Sequence, residues 1–248
     1  MVNNYSQPVD TISLGDKSPY LNNMIDFNKS KSIPSDMWNY LTEGVNYLGK
    51  NEYGKKILNQ ISPKSYYFEY SPMLDVPAQI KWNKRSINYS SKTPQLNSQI
   101  EELIHAGQME FYKRGSGNIP SMNIEFEAKV LEDIIKKINY NNEDLIIVTP
   151  KNIKDNLNNN ENDINEFLYH IQHPKIFIGT DLEDEYIKGL NTKYDKMIER
   201  IAQNGYFTTE DLDIYKEVGK FMSPEKSRHD ARSFDERIIP SFLINIFE

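Results

Sequence analysis

The chain contains no cysteine. This absence excludes disulfide bonds, thiolate metal sites and cysteine nucleophiles, so any metal ion must be held by histidines and carboxylates. Basic residues are also in the minority: 29 lysines and arginines stand against 36 aspartates and glutamates, for a net charge of −7. A nucleic-acid partner, which is bound largely by neutralising its phosphates, is therefore disfavoured.

Long apolar runs are missing as well. No stretch approaches the roughly 20 apolar residues that a membrane helix needs. The N-terminal region also lacks the basic start and apolar segment of a signal peptide. These features predict a soluble protein without a membrane segment, located in the cytoplasm or in an assembly such as a virion. The 248 residues, 38% of them apolar, are enough for one large domain or two small ones, with a small hydrophobic core.

The hydrophobic pattern predicts an α+β protein in three parts. Residues 1–34 lack sustained periodicity and are expected to form an extended arm, docked through scattered apolar anchors such as Leu21, Met24 and Ile25; a disordered leader is the alternative. Residues 35–222 form the α+β domain, whose C-terminal part is helical, and residues 223–248 form a charged tail. The tail ends in the apolar segment Ile238–Phe247, which must be covered either by this fold or by a neighbouring molecule.

Local signals place the main elements. Capping residues and apolar spacing predict helices over residues 37–48, 53–60, 93–112, 124–139, 163–171, 181–203 and 209–222. Alternating apolar residues predict strands over residues 66–70, 79–83 and 86–91, the last two forming a hairpin, and an apolar run predicts another strand over residues 145–149. In the hairpin, Asn88 and Ser90 are expected on the opposite side from Ile87 and Tyr89, so that one side can be wet.

Residues 99–108, within the predicted helix over residues 93–112, carry the main candidate for chemistry. This helix puts Glu101 and His105 four residues apart on one face, with Glu102 beside them. An alternative is that Ser98 and Glu101 form a capping box at the start of the helix. His105 alone is compatible with an ordinary polar contact, and Glu125 and Glu127 are compatible with a solvated helix face.

Together these residues resemble the gluzincin type of zincin metallopeptidase. In that family an H-E-x-x-H motif lies on one helix and an E-x-x-[AD] motif lies on a following helix. Here Glu101 replaces the first histidine, and the second motif reads Glu125-Phe126-Glu127-Ala128, starting twenty residues after His105. The resemblance covers roughly residues 65–140. It implies that Glu101, His105 and Glu125 are metal ligands and that Glu102 polarises the zinc-bound water as general base.

The replacement of a histidine by Glu101 changes the expected metal chemistry. Catalytic zinc sites favour neutral imidazoles with one carboxylate. Two carboxylates and one imidazole would neutralise more of the ion's charge than that usual set does and would make the ion a poorer Lewis acid. We therefore expect zinc to bind weakly, to be replaced by another metal, or not to bind.

Two functions follow from this reading. The first is a structural subunit of a multiprotein assembly, such as a ring component of a phage tail or collar, that grips protein partners through its arm and tail. The replacement of the first motif histidine by Glu101 and the non-periodic arm favour this structural function. The alternative is an active zinc metallopeptidase or peptidase-type toxin that uses Glu102, and the joint presence of Glu102, His105 and Glu125 favours this alternative. His170 and His173 are weaker metal candidates, and His229 is expected to be solvated.

Overall fold

A three-stranded sheet and eight helices make up the part of the chain that the computed structural model describes, residues 18–113, 119–139, 181–222 and 234–248. The elements are α1 (Pro19–Met24), α2 (Met37–Leu48), α3 (Glu52–Gln60), β1 (Tyr67–Tyr70), β2 (Ala78–Lys81), β3 (Ser86–Tyr89), α4 (Leu96–Phe111), α5 (Ser121–Asn139), α6 (Asp181–Asn204), α7 (Thr209–Met222) and α8 (Ser241–Phe247). The predicted α+β class is confirmed. The chain divides into two compact units, Met1–Arg114 and Gly115–Glu248.

The sheet of the first unit has the strand order β1-β3-β2. Strands β2 and β3 form the predicted antiparallel hairpin, with Ala78 opposite Tyr89. Strand β1 pairs in parallel with β3, which the sequence pattern did not predict. The expectation of a wet side is wrong for β3, because this central strand is buried along its whole length. Asn88 is buried and donates a hydrogen bond from Nδ2 to Ser86 Oγ at 3.0 Å.

Residues 18–33 are docked on the outer edge of β1. The Asp26 N–H donates to the carbonyl of Tyr66 at 2.7 Å. Further along, Ser30 Oγ accepts a hydrogen bond from the Phe68 N–H at 3.1 Å. The predicted apolar anchors Leu21, Met24 and Ile25 are buried. This part of the arm is not extended throughout, since it contains α1, whose Pro19 start follows the Ser18 cap.

Helices α2, α3 and α4 pack together in the first unit. Helix α2 has the bounds that the sequence predicted, because its apolar residues recur at helical spacing and Gly49 follows its last residue. Gly44 of α2 allows a close approach to α4: a Cβ at this position would lie 2.5 Å from Gln99 Oε1. The absence of a side chain at Gly44 thus leaves room for the helix that carries Glu101 and His105.

The apolar end of the chain is buried within the second unit. Phe242, Leu243, Ile246 and Phe247 of α8 are all buried, and α8 packs on α5. Glu127 holds the start of α8, since its Oε1 accepts the Leu243 N–H at 3.0 Å. The chain's own fold therefore covers these four residues of the segment, whereas Ile239 is 51% exposed.

Helices α5 and α6 share a buried polar contact in the second unit. The Tyr194 hydroxyl donates to Asp133 Oδ2 at 3.2 Å, and both side chains are buried. Burial and the neighbouring Glu132 charge raise the pKa of Asp133 well above its usual range. Glu132 itself pairs with the buried Lys136 at 2.6 Å. Asp133 therefore stays protonated above the pH at which an exposed aspartate ionises.

Helix α7 has the predicted bounds. Its capping box is formed: the Asp211 N–H donates to Thr208 Oγ1 at 3.1 Å, and the Thr208 N–H donates to Asp211 Oδ2 at 2.7 Å. The predicted strand over residues 145–149 and helix over residues 163–171 lie outside the described residues. Within the described ranges, no helix has both the length and the apolar character needed to cross a bilayer.

Candidate metal centre

Helix α4 places Glu101 and His105 one turn apart, as the sequence predicted. His105 is 4% exposed, and its Nε2 lies 4.0 Å from Glu101 Oε1. The helix begins at Leu96 and its N-cap is Gln95, whose side chain makes no capping hydrogen bond. Ser98 and Glu101 therefore lie inside the helix, and the capping-box alternative is wrong. The carboxylate of Glu101 is thus not engaged in closing the helix start.

Helix α5 carries the second motif. Glu125 is exposed, whereas Glu127 is 2% exposed and accepts the N–H of Leu243. The alternative that both are solvated is therefore wrong for Glu127, which has a structural role. The two glutamates are two positions apart, so they lie on different sides of the helix. Glu125 keeps an exposed carboxylate that can reach a ligand.

The three predicted metal ligands come together. One ligand atom from each of Glu101, His105 and Glu125 lies within 4.8 Å of the other two. In a tetrahedral zinc site with bonds of about 2.0–2.2 Å, neighbouring ligand atoms are about 3.3–3.6 Å apart. The observed group is wider by at most about 1.5 Å, an amount that side-chain rotation can supply. This group could therefore hold a metal ion.

The chemistry of the donor atoms suits a divalent cation. Two carboxylates supply hard oxygen donors, and His105 supplies an imidazole nitrogen, which zinc, iron and other transition metals accept. The charges of two carboxylates also balance the charge of a divalent ion. The same balance reduces the residual positive charge that makes a bound water acidic. The site is thus better suited to holding a cation than to strong Lewis-acid catalysis.

Glu102, the predicted general base, is buried beside strand β3. Its side chain is 7% exposed. Burial and the charge of Glu102 raise the pKa of Tyr89 well above 10. Tyr89 is therefore a neutral phenol near the carboxylate, and it adds no charge to the site. A carboxylate in such surroundings is a suitable proton acceptor if a water molecule reaches it.

One residue of the site was missed by the sequence reasoning. Gln108 Oε1 lies 2.8 Å from His105 Nδ1, and the Gln108 side chain is fully buried. Its position three residues after His105 puts it on the same helix face, next to the imidazole. A polar residue three positions after His105, on the face that also carries Glu101, is the signal that could have identified it.

Neither the family models, nor the curated proteins, nor the solved structures contain a match. The zincin resemblance therefore depends on the two motifs and on the geometry of their residues. The roles of Glu101, Glu102, His105 and Glu125 stay predictions. The weaker candidates His170, His173 and His229 lie outside the described residues.

Proposed function

We propose that this protein is a zincin-like, metal-dependent peptide hydrolase. The observation that carries the proposal is the convergence of Glu101, His105 and Glu125 within 4.8 Å, together with Glu102 on the same helix. Glu101 is half-buried and its neighbour Glu102 is buried, and two carboxylates with limited access to water repel one another in the absence of a cation. A purely structural helix has no need for this combination of donors.

In the proposed reaction, Glu101, His105 and Glu125 would hold a divalent cation, which would supply Lewis-acid activation of the peptide carbonyl and of the attacking water. Glu102 accepts a proton from that water as its oxygen forms a bond to the carbonyl carbon. When the C–N bond breaks, Glu102 delivers the proton to the leaving nitrogen, which departs as an amine. Tyr89 keeps the phenolic proton throughout, because its pKa is raised.

Glu101 sets the expected rate of this chemistry. A second carboxylate in place of an imidazole leaves less positive charge on the cation, so the water loses its proton less readily. We therefore propose a hydrolase that is slower than one with two imidazole ligands. A suitable substrate is a peptide segment, since the motif pair resembles that of metallopeptidases.

Metal removal tests this function. We expect zinc-loaded protein to cleave members of a mixed peptide library, with new N-termini found by mass spectrometry. A chelator should abolish the cleavage because it removes the Lewis acid, and added zinc should restore it. Cleavage that survives complete chelation, with metal analysis showing no bound ion, would count against the proposal.

A second candidate function is a structural subunit of a multiprotein assembly, of the type found in a phage tail or collar ring. The observation that favours it is Glu101 at the position of the first histidine, since this change weakens catalysis without removing the metal ligands. In this case the cation stabilises the fold and no peptide is cleaved. Size-exclusion chromatography with light scattering separates the two: a ring gives a multiple of the 29.0 kDa chain mass. The burial of α8 within the chain gives this candidate no support from the C-terminal end.

A further inference from the structure

The imidazole of His105 is held from one side by Gln108. The distance from His105 Nδ1 to Gln108 Oε1 is 2.8 Å, and the two side chains are 4% and 0% exposed. The other ring nitrogen, Nε2, lies on the side of Glu101 at 4.0 Å. The two ring nitrogens of His105 therefore have different neighbours.

This contact determines where the imidazole carries its proton. An amide oxygen only accepts hydrogen bonds, so a contact of 2.8 Å requires a proton on Nδ1 of His105. In a neutral imidazole the lone pair then lies on Nε2. We propose that Gln108 is a positioning residue that fixes the Nδ1–H tautomer of His105 and presents Nε2 as the ligand. This inference rests on the proposed function in one respect, namely that Nε2 of His105 binds a cation.

The location of Gln108 makes this orientation rigid. Both residues belong to α4, separated by three positions, so the helix backbone sets the distance between their side chains. Because Gln108 is fully buried, water does not compete for its amide oxygen. A hydrogen bond that orients a metal-binding histidine in this way usually changes metal affinity by roughly 10- to 100-fold when it is lost. The imidazole therefore loses its rotational freedom when the protein folds, and metal binding does not have to supply this entropic cost.

The tautomer is measured directly by ¹⁵N NMR of the imidazole in metal-free protein, at a pH where the ring is neutral. We expect wild-type His105 to be protonated on Nδ1. In Gln108→Leu, which keeps similar volume without an acceptor, the proton should move wholly or partly to Nε2. Gln108→Glu retains an acceptor and should keep the proton on Nδ1. A wild-type ring protonated on Nε2, or an unchanged tautomer in Gln108→Leu, would overturn the role of Gln108.

Zinc titration provides the second measurement. We expect zinc affinity to fall by roughly 10- to 100-fold in Gln108→Leu and to be restored in Gln108→Glu. Met109→Leu is the matched control, since Met109 is also fully buried on α4 and the change removes no hydrogen bond. Equal loss of affinity in Met109→Leu would assign the effect to packing and overturn the proposal. If the wild-type chain binds no zinc, the proposed function fails, whereas a wrong tautomer removes only the role of Gln108.

Discussion

Glu102→Gln is expected to lower peptide cleavage by roughly 10²- to 10⁴-fold, the usual contribution of a general acid–base group. The amide has nearly the same shape as the carboxylate but does not accept a proton at neutral pH. Since Glu102 is not among the three converging ligands, zinc binding should be retained. Rate and zinc content are therefore to be measured on the same preparation, by quantified peptide cleavage and by metal analysis.

The control for this variant is Glu43→Gln, at an exposed position on α2. It makes the same chemical change at a residue that is not part of the proposed site and should leave cleavage unaffected. Retention of full activity by a folded, zinc-loaded Glu102→Gln protein would show that another group takes the proton. Loss of zinc together with activity would mean that Glu102 is a ligand and not the base.

Glu101→His is expected to raise both zinc affinity and cleavage rate. The change replaces one carboxylate by an imidazole and gives the two-histidine, one-glutamate ligand set of many catalytic zinc sites. More positive charge then remains on the ion, and the attacking water becomes more acidic. We expect a rate increase on the order of tenfold, which corresponds to about 1.4 kcal/mol of barrier height. Zinc titration and the peptide-cleavage assay measure the two effects.

Glu43→His is the matched control here, because it introduces an imidazole at the same exposed position of α2. It should change neither the zinc affinity nor the cleavage rate. If Glu101→His binds zinc no more tightly than the wild type and cleaves no faster, Glu101 does not occupy a ligand position. In that case the similarity between this helix and the metallopeptidase motif is superficial.

The elements that the sequence predicted well are those fixed by neighbouring residues. Helix α7 has the expected bounds because Thr208 and Asp211 cap it through contacts three residues apart. Helix α2 likewise follows its apolar spacing. The parallel pairing of β1 with β3 depends on contacts between residues 19 positions apart, such as Tyr67 with Ser86, and no local signal specifies it. The burial of Asn88 follows from that pairing, because β1 makes β3 a central strand.

The candidate site was predictable to the extent that helix geometry determines it. The four-residue spacing of Glu101 and His105 requires only that the segment is helical. The third ligand, Glu125, came from the resemblance of its motif, since the spacing of Glu101 and His105 carries no information about residues outside their helix. Gln108 was overlooked because its role depends on burial, which removes competing water and makes a single hydrogen bond decisive. The structural role of Glu127 was overlooked for a different reason: its partner, Leu243, is 116 residues away.

Zinc titration of the wild-type chain and of Glu125→Gln by isothermal calorimetry tests the central claim, that three side chains bind one cation. Glu125 is exposed, so this substitution is expected to leave the fold intact. We predict one zinc ion per wild-type chain and an affinity at least about tenfold lower in Glu125→Gln, a loss of about 1.4 kcal/mol or more. A wild-type chain that binds no zinc, or a Glu125→Gln chain that binds it equally well, would contradict the claim.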